Sequence, residues 1–317
     1  MSLSAPALGL DVGGQSVKAV LVSAAGDVLA TASRPTGEGT DSERLVDALA
    51  SLRDEVTKGL AAPGEVTIGV GIAGVLDRSG TLRGAPHLPL LVGAGLAREL
   101  SEGLGRSVVV HNDADCAAVA EGWGGAADGR DDYLMIAIGT GVGSGLVLGG
   151  RLRAGNSGFG CEFGHMMVVH EGRACGCGNR GCLEAYISET AAKKLVLEGP
   201  ASLRAAVDER RAARGSGFAE AVFELGAGGN TKAEALATGM VDVLGAAIGS
   251  VVNVLDLTTV VLGGGVAPGV LARMDRLRNA AGASLFARPV ADLDVVAAAR
   301  GPLAGAIGAA RLGMLAR

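Results

Sequence analysis

One pattern occurs twice in this chain: a buried strand, a glycine turn and a second buried strand. The first copy is A-L-G-L-D-V at 7–12 and V-K-A-V-L-V at 17–22, joined by G-G-Q-S. The second copy, at 133–148, is Y-L-M-I-A-I-G-T-G-V-G-S-G-L-V-L. Short apolar runs bounded by glycines are typical of buried strands. The repetition indicates an internal duplication in which each copy begins one lobe of an α/β protein.

The glycine turns are candidate phosphate sites, because a turn without side chains lets backbone amides approach an anion closely. Asp11 ends the first strand and could hold a metal ion or its water, and Lys18 could add positive charge. An ordinary hairpin with a solvated lysine remains open as the alternative. With 53 glycines in the chain, a glycine pair alone carries little weight. The second turn, G-T-G-V-G-S-G, does not fit the G-x-G-x-x-G fingerprint and is not followed by a helix, and no G-x-x-x-x-G-K-[ST] occurs, which argues against Rossmann and P-loop sites.

The remaining pattern alternates strands and helices, and 317 residues suit two domains. Leu45, Leu49, Leu52 and Val56 lie on one face of a predicted helix over 41–60. Further helices are predicted at 92–103, within 188–225, and at 232–253, 268–281 and 302–316, with strands at 27–33, 66–74, 107–111 and 258–262.

The strand at 107–111 leads directly into N-D-A-D, which opens a helix. Asn112 or Asp113 could simply be the helix N-cap, the most common role for such residues. Asp113 could instead face a ligand site at the carboxyl end of the strand and accept a proton from a hydroxyl group. These residues alone favour the cap. In the loop that follows the 66–74 strand, His87 is interpreted as a surface or packing residue.

A cysteine cluster indicates a metal site. Cys175, Cys177 and Cys182 lie within eight residues, and His165 precedes Cys175 by ten. Three thiols and an imidazole form a tetrahedral zinc set without an open position, so the metal would be structural. His170 is the alternative fourth ligand, and free thiols are the less favoured interpretation.

Two glutamates, Glu162 and Glu184, flank the loop that such a metal would rigidify. Two carboxylates fixed in this way suit the recognition of neighbouring hydroxyl groups.

Composition narrows the class of protein. A net charge of −5 argues against a general binder of nucleic acids or anionic membranes. No apolar run is expected to reach the ~20 residues of a membrane span, and no signal peptide is expected. Five cysteines, three of them clustered, favour a reducing compartment. A soluble, cytoplasmic protein is therefore expected.

Four separated motifs resemble those of the ROK family of repressors and sugar kinases, most closely its bacterial glucokinases. They are D-V-G-G-Q-S-V-K at 11–18, N-D at 112–113, E-F-G-H at 162–165 and C-G-C-G-N-R-G-C-L-E at 175–184. The resemblance implies a two-lobed, actin-like and hexokinase-like (ribonuclease H-like) α/β ATPase fold with a zinc-binding loop. The lobes would be 1–117, with the closing helix 302–317 packed back on it, and 118–301.

The resemblance also implies roles for individual residues. Asp113 would be the catalytic base, and His165 would serve both metal and sugar through its two ring nitrogens. Sugar-binding residues would be Asn112, Asp113, Glu162, His165, Glu184 and Gly74. ATP would be bound by Asp11, Gly13, Gly14, Gln15, Lys18, Gly139, Thr140, Gly141, Gly264 and Gly265, with magnesium placed by Asp11. Zinc would be held by His165, Cys175, Cys177 and Cys182. One departure is Gln15-Ser16, where the family usually has threonine after the first Gly-Gly.

The implied function is ATP-dependent phosphorylation of a hexose at its C6 hydroxyl, with glucose expected. N-acetylglucosamine, N-acetylmannosamine and fructose kinases belong to the same group, and polyphosphate is an alternative donor. A sugar-responsive transcriptional regulator is the alternative from another class, but only ten residues precede Asp11, where such proteins carry a DNA-binding domain. A zinc module for protein contacts alone would leave the duplicated hairpins unexplained. A homodimer or homotetramer is expected, without nucleic-acid or membrane partners.

Overall fold

The computed structural model describes residues 5–60 and 66–316. The chain forms two compact units. The first contains residues up to 135 together with 145–161 and the segment from 298 onward, and the second contains 136–144 and 162–297.

A five-stranded sheet, in the order β3-β2-β1-β4-β7, forms the centre of the first unit. Its strands are β1 (Ala7–Val12), β2 (Ser16–Val22), β3 (Val28–Pro35), β4 (Thr67–Ile72) and β7 (Val108–Asn112). The hairpin strands β1, β2 and β3 pair antiparallel, whereas β1, β4 and β7 are parallel. A small hairpin of β5 (Val75–Leu76) and β6 (Leu82–Gly84) follows β4.

The α-helices described in the first unit are α1 (Ser42–Val56), α2 (Leu96–Leu104), α3 (Asp113–Glu121) and α11 (Ala304–Leu315). The predicted apolar face of α1 is confirmed, because Leu45, Leu49, Leu52 and Val56 are all buried. Asp41 ends the preceding loop and caps α1 by accepting a hydrogen bond from the Arg44 amide at 3.0 Å.

Helix α11 packs against strands β1 and β4 and helix α3 through backbone contacts at glycines. A Cβ on Gly9 would lie 1.7 Å from the Ala306 carbonyl oxygen, and one on Gly69 would lie 1.8 Å from that of Ala309. A Cβ on Gly308 would lie 1.7 Å from the carbonyl oxygen of Cys116 in α3. Side chains at these positions would force the elements apart, so the glycines define how closely α11 lies on the sheet.

A second five-stranded sheet has the order β10-β9-β8-β11-β12. Its strands are β8 (Tyr133–Ile138), β9 (Val142–Leu148), β10 (Arg151–Leu152), β11 (Thr259–Gly263) and β12 (Asp294–Ala297). The helices of the second unit are α4 (Glu184–Ile187), α5 (Glu189–Glu198), α6 (Ala201–Arg214), α7 (Phe218–Ala227), α8 (Thr231–Leu255), α9 (Ala267–Leu271) and α10 (Met274–Gly282). The single helix predicted over 268–281 is therefore two helices, separated at Ala272 and Arg273.

Helix α8 corrects one expectation about membranes. Among the residues that the structure describes, it alone is long and apolar enough to cross a membrane, with a mean hydropathy of 1.8 over its most apolar window. The expectation that no apolar run reaches the length of a membrane span was therefore wrong, because α8 meets the criteria of length and composition. Half of that window is buried inside the protein. At Gly249 the helix lies so close to α10 that a Cβ would stand 2.5 Å from the Ala281 carbonyl oxygen, which is the packing of a core helix.

Candidate functional site

The carboxyl ends of β1, β4 and β7 bring the predicted groups of the first unit to one edge of its sheet. Val12 pairs with Ile72, and Ile72 pairs with Asn112. The Ala73 amide extends this alignment by donating to the Val12 carbonyl oxygen at 3.0 Å. Ligand sites of open α/β sheets lie beyond the carboxyl ends of parallel strands.

Asn112 is the N-cap of α3. Its side-chain oxygen accepts hydrogen bonds from the amides of Ala114 at 2.8 Å and Asp115 at 3.1 Å, and its Nδ2 donates to the Gly74 carbonyl oxygen at 3.0 Å. The capping role that the sequence left open between two residues therefore belongs to Asn112. Asp113 is the first residue of the helix, where the aligned backbone dipoles favour a negative charge.

The first glycine turn is closed by a hydrogen bond from the Gly13 amide to the Ser16 carbonyl oxygen at 3.0 Å. The Thr36 hydroxyl donates to the Gly13 carbonyl oxygen at 2.6 Å, and the Thr36 amide donates to the Gln15 carbonyl oxygen at 3.1 Å. Gly14 and Gln15 at the tip are exposed. Thr36 thus fixes the turn through two of its carbonyl oxygens, while the tip residues remain exposed.

Lys18 lies beside Asp11. Its Nζ is 3.8 Å from the Asp11 carboxylate and donates to the Pro302 carbonyl oxygen at 3.0 Å. Burial raises the pKa of Asp11, and the charge of Lys18 partly opposes this rise. A carboxylate that is desolvated in this way is suited to binding a cation.

Cys116 shows that the acidic groups of this edge lie close together. The thiol is fully buried, and burial raises its pKa well above the usual value, with further increases from the negative charges of Asp115, Asp11 and Asp113. Two of the predicted site residues, Asp11 and Asp113, therefore act on one sulfur atom, although β4 lies between their strands in the sheet.

His87 is a residue of this region whose position the sequence did not reveal. A Cβ on Gly14 would lie 2.5 Å from the His87 Cβ and 3.0 Å from its Cγ. His87 therefore packs against Gly14 of the first glycine turn, and both residues remain exposed. It lies 73 positions from Gly14 in the sequence, and no local pattern connects the two.

In the second unit, the two predicted nucleotide loops meet at the end of β8. The Val266 amide, just after Gly264 and Gly265, donates to the Ile138 carbonyl oxygen at 3.0 Å. Gly264 has a φ of 86°, and a Cβ there would lie 2.3 Å from the same oxygen. Only glycine adopts this conformation at this distance without strain. The structure thus brings Gly139–Gly141 and Gly264–Gly265 to the same strand end.

The predicted metal ligands also come together. One ligand atom from each of His165, Cys175, Cys177 and Cys182 lies within 4.8 Å of the other three. In a tetrahedral zinc site with Zn–S bonds of about 2.3 Å, two sulfur atoms are about 3.8 Å apart. The Cys177 and Cys182 sulfurs are 3.8 Å apart, and the Cys175 sulfur is 3.7 Å from His165 Nδ1. The donor set therefore fits a tetrahedral ion, and among the described residues it includes His165 and not His170.

The donor set favours a cation at this group, because three thiols and one imidazole are ligands that zinc prefers. Burial raises the pKa of the Cys175 thiol to about 12, and coordination of a cation would deprotonate it. The three cysteine ligands lie on a short knuckle, residues 174–182, in which Ala174 pairs with Arg180 through an isolated bridge, and His165 precedes the knuckle in the chain.

Glu162 and Glu184 border the metal group. Glu162 is an exposed residue, but partial desolvation raises the pKa of its carboxyl. The charge of His165 lowers this pKa, and the charge of Glu184 raises it further. Glu184 lies with Oε1 3.6 Å from the Cys175 sulfur, while its Oε2 accepts a hydrogen bond from the Val142 amide at 2.9 Å. Both carboxylates and His165 thus occupy one region of the second unit.

A family model described as "ROK family" matches residues 7–314. A glucokinase of Thermotoga maritima is 32% identical over 82% of this chain and 81% of its own length. A glucokinase of Streptomyces coelicolor is 32% identical over 96% of each chain. An N-acetyl-D-glucosamine kinase of Pectobacterium carotovorum is 30% identical over 87% of this chain and 88% of its own length.

Two solved structures share the fold over almost the whole chain. The ROK hexokinase of Thermus thermophilus has a TM-score of 0.78 and 32% identity, covering 96% of this chain and 97% of its own. The ROK glucokinase of Streptomyces griseus, solved with glucose and AMPPNP, has a TM-score of 0.79 and 30% identity, covering 97% and 99%. The α/β sugar-kinase fold expected from the sequence motifs is confirmed.

Proposed function

The chain belongs to the ROK family and is a sugar kinase, and from this premise we propose that it transfers a phosphoryl group from ATP to the C6 hydroxyl of glucose. One observation carries the proposed chemistry. Asp113 is the first residue of α3 and directly follows the end of β7, so its carboxylate, which accepts a hydrogen bond from the Ala114 amide at 2.9 Å, lies at the strand edge where ligands bind.

In this proposal, Asp113 accepts the proton of the sugar hydroxyl as the hydroxyl oxygen attacks the terminal phosphorus of ATP, and ADP leaves as the bond from that phosphorus to the β-phosphate oxygen breaks. Asn112, Gly74, Glu162, His165 and Glu184 orient the sugar. The first glycine turn with Gln15 and Lys18, the Gly139–Gly141 turn and Gly264–Gly265 bind ATP. Asp11 holds magnesium, which, when bound with the nucleotide, offsets the negative charge of the phosphates.

We propose zinc as the ion of the four-residue group, because three thiolates and one imidazole at these distances match its ligand preference. Four protein ligands leave no open position, so the ion would rigidify the knuckle and take no part in phosphoryl transfer. Elemental analysis of the purified protein should give one zinc per chain.

Glucose and ATP are supported by the two glucokinase relatives and by the Streptomyces griseus structure with glucose and AMPPNP. The similarity to an N-acetyl-D-glucosamine kinase favours that amino sugar as the second candidate substrate. A cytoplasmic homodimer or homotetramer remains part of the same proposal.

The test is an ADP-release assay across hexoses and N-acetylhexosamines, with ATP and polyphosphate as donors. Glucose with ATP should give the highest kcat/KM. Asp113→Asn should lower kcat by several orders of magnitude while zinc content and thermal stability stay unchanged, because the amide cannot accept the proton. Most of the activity surviving in this variant would refute the assignment of the base.

A further inference from the structure

The turn Gly139–Val142, called here the donor turn, is hydrogen-bonded to three residues of the segment 184–190. Glu184 Oε2 accepts the Val142 amide at 2.9 Å. The Glu189 amide donates to the Gly139 carbonyl oxygen at 2.9 Å. The Thr190 hydroxyl donates to the Thr140 carbonyl oxygen at 2.8 Å.

The contact between Glu184 and the donor turn is close and depends on glycine. A Cβ on Gly141 would lie 2.4 Å from Glu184 Oε2, so any side chain there would displace the carboxylate. The hydrogen bond that would be lost joins an amide to a charged group, which is stronger than a bond between two neutral groups.

The same carboxylate adjoins the metal knuckle. Its other oxygen lies 3.6 Å from the Cys175 sulfur, and Cys182, a second ligand of the group, precedes Glu184 by two residues. The Ala185 amide donates to the Cys182 carbonyl oxygen at 3.0 Å, which ties the first turn of α4 to that ligand. Glu184 therefore contacts the metal group with one oxygen and the donor turn with the other.

We propose that Glu184 is a positioning residue for the phosphoryl donor, through which the metal knuckle supports nucleotide binding at Gly139–Val142. The inference rests on the proposed function in one respect, that the donor turn binds the phosphates of ATP. It goes beyond that function because it gives the metal and Glu184 a role in holding nucleotide as well as sugar.

The test measures binding of AMPPNP with magnesium by calorimetry in the absence of sugar, so that the sugar contacts of Glu184 play no part. Glu184→Ala should raise the Kd about tenfold, the effect of losing one hydrogen bond to a charged group. Glu184→Gln keeps an acceptor oxygen and should stay within about threefold of wild type. Thr190→Val, which removes the hydroxyl bonded to the Thr140 carbonyl oxygen and is not one of the four candidate metal ligands, should weaken binding about fivefold.

Glu234→Ala is the matched control. Glu234 is a carboxylate of the same unit with a strong partner, Arg273 at 2.6 Å, but that ion pair joins α8 to the residue that precedes α10. Its removal deletes the same charge and should leave the Kd for AMPPNP unchanged.

Removal of the metal by a chelator provides the second arm. In wild type it should weaken AMPPNP binding about as much as Glu184→Ala does, and in Glu184→Ala it should add little, because both changes release the same turn. Fully additive effects would refute the coupling, and so would a Glu184→Ala protein that retains metal and binds AMPPNP like wild type. A wild-type protein that binds AMPPNP normally but phosphorylates no hexose would instead refute the proposed function and leave this inference standing.

Discussion

Gly308 offers the sharpest test of the packing that places Asp113. The residue lies in the middle of α11, where alanine is intrinsically better than glycine by about 1 kcal/mol. A Cβ there would nevertheless lie 1.7 Å from the Cys116 carbonyl oxygen, a distance that requires the two helices to separate by more than an ångström. Because both partners are backbone, no side-chain rotation can relieve the overlap.

The size of the effect follows from the two opposing contributions. Overpacking of a core costs about 1–3 kcal/mol, and a contact between two backbones belongs at the upper end of that range. After the gain in helix propensity is subtracted, Gly308→Ala should lose about 2 kcal/mol of unfolding free energy, which is a fall in Tm of about 4 °C or more. Because Asp113 begins the displaced helix α3, kcat should fall as well.

Gly239→Ala is the control for this substitution. Gly239 also lies inside a helix, α8, but a Cβ there meets no atom within 4 Å. The same change should therefore raise the unfolding free energy by up to about 1 kcal/mol and leave kcat unaltered. Thermal unfolding and glucose turnover of the two variants would be compared. If Gly308→Ala is as stable as wild type, the close approach of α11 to α3 is wrong.

Two further substitutions test charged groups of the first unit. The folded-state pKa of Asp11 is raised, so the stability that this group contributes is present at pH values below about 3.8 and is lost as the pH rises through the folded pKa. Asp11→Asn should consequently be more stable than wild type at pH 7 and indistinguishable near pH 3, although it should lose kinase activity; a lower Tm at pH 7 would contradict this. Glu121 is fully buried and accepts hydrogen bonds from the amides of Ala126, Ala299 and Arg300. Glu121→Gln would turn N–H groups toward those donors and should cost about 2–3 kcal/mol in chemical denaturation, whereas Glu209→Gln on an exposed helix face should cost nothing measurable.

Patterns within a short stretch of sequence predicted much of the fold and the grouping of the four candidate metal ligands. The apolar spacing in α1 depends on one helix turn, and the metal knuckle depends on ligands that are close in the chain. Such features are set by local geometry and by the number of donors that an ion requires.

Features that join distant segments were not predictable in the same way. Glu184 and Val142 are 42 positions apart, and the Gly308 contact with Cys116 spans most of the chain. Glu121 accepts hydrogen bonds that join the end of α3 to residues 299 and 300, and no local sequence pattern indicates this contact. In each case the sequence carries only a glycine or a carboxylate, and its partner is defined by tertiary packing.

The cap of α3 shows why neither interpretation of N-D at 112–113 had to exclude the other. A helix N-terminus offers several unsatisfied amides, and one side chain can accept two of them, as Asn112 does. With the cap supplied, the following residue is carried by the helix start at a fixed place beyond the strand end, where the helix dipole favours its negative charge. The capping residue and the proposed base therefore act together: Asn112 stabilises the start of the helix, and the helix fixes the position of the Asp113 carboxylate. Gly308 of α11 contributes to the same positioning. Its close contact with Cys116 fixes the place of α3, the helix that begins with Asp113.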